Sequence, residues 1–127
     1  MTDVRVLVVD DQEPFRRAMA AVVEETDGFV IVGAVASGEE SLVAVAELAP
    51  DLVLMDVNLP GIDGIEATRR LTGAPDPPVV LLLSTYDVDQ VDLEGSGAAA
   101  YLAKGDLGPD RLSAAWLDAQ DDLRDHG

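Results

Sequence analysis

The chain has 127 residues, no cysteine and a formal net charge of −17 from 25 acidic and eight basic residues. That length suits one domain, 1–127, and 48% hydrophobic content is enough for a real core, which excludes global disorder. The excess of acid argues against direct nucleic-acid binding, which rests on neutralising phosphates with basic groups, and the missing cysteine excludes disulfides and thiolate chemistry.

No run approaches the ~20 apolar residues of a membrane span. The opening MTDVRVLVVDD lacks the basic start, long apolar stretch and small-residue cleavage site of a signal peptide. A cytoplasmic location without membrane contact is expected. Val4–Val9 reads as a first strand, and Pro14 opens a helical pattern with Phe15, Met19, Val22 and Val23 on one face. Gly28 ends it, and Phe29–Ala36 reads as a second strand. Ser37 followed by Glu40 is a capping box that starts a helix carrying Leu42, Val45, Ala46 and Leu48.

Leu52–Met55 is a third strand, apolar on both faces as a covered parallel sheet requires. Asn58–Gly64 is a Pro- and Gly-rich turn, and Asp63 with Glu66 opens a helix through Leu71. Pro75–Pro78 is a rigid connector to a fourth strand, Val79–Leu83. Asp87–Gly97, acidic with few apolar anchors, predicts a short or mobile helix. Ala98–Ala103 is a fifth strand. Pro109 starts a last helix with Leu112, Ala115, Trp116, Ala119 and Leu123 at helical spacing. Five strands separated by helical patterns argue for a parallel sheet with helices on both faces.

Strands of such a sheet end along one edge, and ligands bind beyond their carboxyl ends. Asp10 and Asp11 follow the first strand, Asp56 the third, Ser84 the fourth, and Lys104, the only lysine, the fifth. If the first and third strands are neighbours, three carboxylates converge and at least one is pushed toward protonation. A hard cation removes that penalty. Mg²⁺ takes one or two carboxylates, a carbonyl and waters, and can then hold a phosphoryl oxygen. One carboxylate can accept a phosphoryl group as nucleophile while Lys104 neutralises charge and a hydroxyl donates a hydrogen bond. Asp56 suits the nucleophile's role because it stands alone at a central strand end, where its flanking turn would expose it.

Each of these residues also has a plainer reading. Asp10 and Asp11 could be helix caps. Ser84 and Thr85 could be strand-end hydroxyls, and Tyr101 could be core. Trp116 is expected to pack the last helix, and His126 to be a tail group. Arg16/Arg17 and Arg69/Arg70 are expected to be solvated helix charges.

The stretches VLVVDD (Val6–Asp11), LVLMDVNLPGIDG (Leu52–Gly64), LLLST (Leu81–Thr85) and AYLAKGD (Ala100–Asp106) together resemble the receiver domains of two-component response regulators. The resemblance covers essentially the whole chain. It implies a single-domain, flavodoxin-like, doubly wound α/β fold with five parallel strands in the order 2-1-3-4-5. It also implies phosphotransfer from a histidine kinase to Asp56, with Asp11, Asp56 and the Asn58 carbonyl on Mg²⁺ and Asp10 acting through a water. Lys104 would pair with Asp56 and then with the phosphoryl group; Ser84 and Tyr101 would be the switch residues. A homodimer is compatible with it. The output would be a separate protein or a DNA-binding domain outside this chain, and a stand-alone receiver is slightly preferred.

Several positions depart from the family pattern. Gly105 replaces the proline common after the lysine, so a trans Lys104–Gly105 bond is expected, and KGD is closer to the LuxR-like subfamily. Thr85 is larger than the usual alanine and would narrow access to Asp56. Asn58 and Tyr86 occupy positions that tune phosphoryl loss, and the Tyr86 ring would shield an acyl phosphate from water. The acidic segment 87–97 is shorter than usual: either this face is specialised, or its helix orders only in the active state. Two other classes compete. A pseudo-receiver would bind partners without phosphorylation. A hydrolase of the haloacid dehalogenase type would need an aspartate where Asn58 stands.

Overall fold

The computed structural model describes residues 3–85 and 96–125, with residues 121–125 by their backbone alone. The strands are β1 (Val4–Val9), β2 (Phe29–Val35), β3 (Leu52–Asp56), β4 (Val79–Ser84) and β5 (Ala100–Ala103). Interleaved with them are α1 (Glu13–Glu25), α2 (Gly38–Leu48), α3 (Gly64–Thr72) and α4 (Pro109–Asp125). The strands are all parallel in the order β2-β1-β3-β4-β5, as the sequence implies.

Alternation along each strand splits the core into two layers. Leu7, Val9, Val53, Met55 and Leu82 meet Ala44 of α2 and Ala67 and Leu71 of α3 on one face. Val6, Val8, Leu54, Leu81 and Leu83 meet Met19 and Val23 of α1 and Leu112 and Ala115 of α4 on the other. Both faces are covered, so the central strands are apolar without interruption. Trp116 packs as expected, edge-on to Phe29 with ring centroids 6.4 Å apart.

The strand ends differ from the sequence reading by local hydrogen bonding. Strand β2 stops at Val35 because the Ala36 N–H donates to the Glu40 carboxylate at 2.8 Å, inside the cap of α2. The fifth strand starts at Ala100 rather than Ala98: the Ala98 N–H donates to Ser96 Oγ at 3.2 Å, although the Ala99 N–H already donates to Val80 O of β4 at 2.9 Å. Strands β3 and β4 each run one residue further than expected and take in Asp56 and Ser84. Both expected caps form: Ser37 Oγ accepts from Glu40 N, and Asp63 Oδ1 accepts from Glu66 N at 2.8 Å. Residues 87–95 of the predicted short helix lie outside the described residues; Ser96, just beyond them, is buried and accepts a hydrogen bond from Thr72 Oγ1 through its carbonyl.

Gly64 is the point where the fold bears directly on the strand end. Its N–H donates to Val57 O at 2.9 Å, and α3 starts hard against the end of β3. A Cβ here would be driven into the Asp56 carbonyl oxygen and would lie 2.9 Å from Val57 Cα. Neither neighbour can rotate away, because both are backbone. Gly64→Ala should therefore lower unfolding stability by about 1–3 kcal/mol, as overpacking does. Urea unfolding of the two proteins measures this, and equal midpoints would show that the helix start shifts freely.

Candidate functional site

The ladders bring the strand ends together in a staircase. Val9 pairs with Met55, Asp56 with Leu83, and Ser84 with Ala103. Asp10, Asp56, Ser84 and Lys104 therefore stand in sequence along one rim. Lys104 lies in a 3-10 turn, Lys104–Asp106, that directly follows β5.

The three acids converge. One carboxylate oxygen from each of Asp10, Asp11 and Asp56 lies within 4.8 Å of the others. Asp10 and Asp56 are buried, whereas Asp11 is exposed at the rim. The depth of Asp56 corrects the expectation that its turn exposes it: Val57 and Leu59 are buried and Gly64 closes on its carbonyl.

Lys104 Nζ lies 2.7 Å from Asp10 Oδ2 and 3.4 Å from Asp56 Oδ1, with its side chain only 9% exposed. Lys104 thus pairs with Asp56, as the resemblance implies, and lies closer still to Asp10. The Asp10 contact is an ion pair out of hydrogen-bond alignment, since Oδ2 has no directed donor. The other Asp10 oxygen accepts from Gln12 N at 2.9 Å, and Asp56 Oδ1 accepts from Asn58 N at 3.3 Å.

Two neighbours were not legible as site residues. Arg16, read as a solvated helix charge, donates from Nη1 to Asp10 O at 2.9 Å. Arg17, Arg69 and Arg70 do behave as solvated charges, paired with Glu13 and Glu66 on exposed faces. Phe15, read only as part of the apolar face of α1, places its ring centroid 4.1 Å from Lys104 Nζ. Its position in the first helical turn after Asp10 and Asp11 is the one sequence signal that could have pointed to it.

Burial and the nearby Asp10 carboxylate push the Asp56 carboxyl above its ordinary value near 3.8, against the opposing pull of Lys104 and the Asn58 N–H. Three acids facing one ammonium leave two formal negative charges, which suits a hard divalent cation. Opposite corners of an Mg²⁺ octahedron are ~4.2 Å apart, so oxygens spanning 4.8 Å can serve one ion with one of them acting through a water.

Ser84 is fully buried at the end of β4, one residue beyond the rung shared by Asp56 and Leu83, and Thr85 beyond it is exposed. Tyr86 lies outside the described residues. Tyr101 packs against the layer formed with α2 and α3, and its buried hydroxyl has no hydrogen-bond partner among the described residues. No peptide bond among the described residues is cis, so Lys104–Gly105 is trans as expected. No helix among them is long and apolar enough to cross a membrane.

A doubly wound parallel sheet with its polar residues gathered at the carboxyl ends places the chain in the flavodoxin-like class of α/β proteins. Comparison with known proteins narrows the class. The response regulator receiver domain family matches residues 6–116. Response regulator GacA of Pseudomonas viridiflava is 46% identical over 104 residues, spanning 80% of this chain and 49% of that protein. Transcriptional regulatory protein LiaR of Bacillus subtilis is 38% identical over 103 residues, with the same shares of each chain. The solved signal receiver domain of NarL from Mycobacterium tuberculosis superposes with a TM-score of 0.84 at 29% identity, covering 94% of this chain and 98% of that one. A LuxR-family two-component response regulator from Aurantimonas sp. SI85-9A1 gives 0.78 at 28% identity, covering 89% and 81%. The chain belongs to the response regulator receiver domain family, the signalling switches of two-component systems. It spans about half the length of the curated relatives it matches.

The raised Asp56 carboxyl has a consequence for stability. The folded state holds this proton more tightly than the unfolded chain does. The ionised carboxylate therefore costs stability above the unfolded value near 3.8, and the cost levels off once pH exceeds the raised folded value. Asp56→Asn should raise the melting temperature of the metal-free protein by a few degrees at pH 7. The gain should vanish as pH falls below the unfolded value. Scanning calorimetry from acid to neutral pH checks this, and a gain independent of pH would rule out the electrostatic cause.

Proposed function

We propose that this receiver accepts a phosphoryl group from a histidine kinase on Asp56 and uses the resulting charge to switch a partner-binding face. The observation that carries the reading is the buried Asp56 carboxylate flanked by Asp10 and by Lys104 Nζ at 3.4 Å, with Asp11 at the rim. An Asp56 oxygen attacks phosphorus as the phosphorus–nitrogen bond of the phosphohistidine breaks. The electron pair returns to the imidazole, which takes up a proton. Lys104 balances charge on the transferring oxygens, and the Ser84 hydroxyl donates to one of them.

Asp11, Asp56 and the Asn58 carbonyl would hold Mg²⁺, with Asp10 acting through a water; the bound ion would neutralise phosphoryl oxygens. Asn58, Thr85 and Tyr86 border this site in sequence and would set how fast water removes the phosphoryl group. Ser84 on β4 and Tyr101 on β5 are proposed to relay the change, because β4 and β5 pair directly. The phosphoryl group must bind one of two conformations better to shift their populations.

The partner is read as a protein or a covalently attached output domain. With 25 acids against eight basic residues, this chain has little with which to neutralise nucleic-acid phosphates. The similarity to LuxR-family regulators makes a DNA-binding output the leading choice.

Incubation with acetyl phosphate and Mg²⁺ should add one phosphoryl group, readable by mass spectrometry and labile to hydroxylamine. Asp56→Asn and chelation of the metal should each abolish the gain, and Lys104→Met should slow it by about 100-fold, the loss typical of one removed charge-stabilising donor. A wild-type protein that takes no phosphoryl group from acetyl phosphate or from a phosphorylated kinase would instead favour a pseudo-receiver.

A further inference from the structure

The ammonium of Lys104 is held on more than its carboxylate side. Asp10 and Asp56 approach it at 2.7 and 3.4 Å, and the Phe15 ring covers another side with its centroid 4.1 Å away. We propose that Phe15 is a positioning residue for phosphoryl transfer: its ring face holds the Lys104 ammonium forward, at the carboxylates that receive the phosphoryl group. The proposal rests on the phosphotransfer reading above.

The distance is within the ~6 Å range over which a cation is drawn to the negative face of an aromatic ring. The surroundings make that attraction count. A small pocket of about 50 Å³, open to the surface beside the exposed Ala18, adjoins the contact and is lined by Phe15, Met19, Val22, Leu83, Leu107 and the Lys104 stem. Its walls are mostly apolar, so a water there finds few polar partners to compete with the ring. With the side chain only 9% exposed, the ammonium has the carboxylates in front and the ring beside it.

The placement of Phe15 is tied to the same acid that binds the lysine. Asp10 Oδ1 accepts from Gln12 N at 2.9 Å, Gln12 O accepts from Arg16 N at 3.0 Å, and Arg16 Nη1 donates to Asp10 O at 2.9 Å. These bonds fix the first turn of α1, and hence the ring, relative to Asp10. The chemistry of the contact also fits the role. A lysine stem is flexible and its ammonium is a point charge that any nearby acceptor can redirect. A benzene ring holds the charge without offering a lone pair, so the N–H groups stay available to phosphoryl oxygens.

The test separates ring charge from ring size. Mono-, di- and trifluorinated phenylalanine at residue 15 drain the ring face progressively at nearly constant shape; Phe15→Leu removes the ring, and Phe15→Trp supplies a stronger face. The rate of phosphoryl gain from phosphoramidate with Mg²⁺ should fall stepwise with fluorination. It should reach about tenfold below wild type in Phe15→Leu, the scale of a small misplacement, and recover in Phe15→Trp. In the metal-free wild-type protein, ring current should move the Lys104 ε-methylene proton signals upfield, and Phe15→Leu should return them to ordinary positions. Rates that stay flat across the fluorinated series, or wild-type ε-proton signals at ordinary positions, would overturn the proposal. If the wild-type protein accepts no phosphoryl group, the phosphotransfer reading fails separately. The ring contact is then decided by melting temperatures of the metal-free fluorinated series, where a stepwise fall supports it and a flat series overturns it.

Discussion

One ammonium group between two buried carboxylates is the constraint on which the rest of this molecule depends. Asp10 and Asp56 sit where water cannot screen them, and like charges at that range repel strongly in a low-dielectric setting. Lys104 offsets part of the repulsion but cannot cancel it, because one positive charge faces three acids. Burial first, and then the Asp10 charge, raise the Asp56 carboxyl, and the net charge that three acids and one ammonium leave equals that of one divalent cation. Local stability is given up at a site whose charge suits a divalent cation.

The architecture determines who can take part. Aspartate has a one-carbon stem, so Asp10 and Asp56 must stand immediately at the ends of β1 and β3, which are hydrogen-bonded neighbours. Lysine comes from farther away. Strand β5 is three positions from β1 in the sheet, ~14 Å at the usual strand spacing. The long Lys104 stem and the 3-10 turn at its base close that distance to an ion pair of 2.7 Å.

The site is also joined to the rest of the fold by packing that cannot give. Gly64 lets α3 begin against the Asp56 carbonyl, so movement at the end of β3 is felt by that helix. On the other side, Thr72 at the end of α3 donates to the Ser96 carbonyl, at the entrance to β5. Helix α3 thus touches both the end of acid-bearing β3 and the entrance to β5, beside the layer that contains Tyr101. Close-packed interiors change between discrete arrangements rather than by continuous strain. A signalling switch built on this frame has that property available.

Much of this was readable from residue order alone. Strand and helix periods are local properties of the chain, so Val4–Val9, Leu52–Met55 and the caps at Ser37 and Asp63 could be located without coordinates. The family motifs carried the strand order and the identity of Asp10, Asp11, Asp56 and Lys104 as a group. Tertiary structure alone decided how deeply Asp56 is buried, which acid Lys104 meets more closely, that Phe15 faces the ammonium and that Gly64 rests on a carbonyl. Each of these depends on groups far apart in sequence meeting at ångström scale. Periodicity says which face a residue occupies, but distance and solvent access arise only when separate elements have packed together.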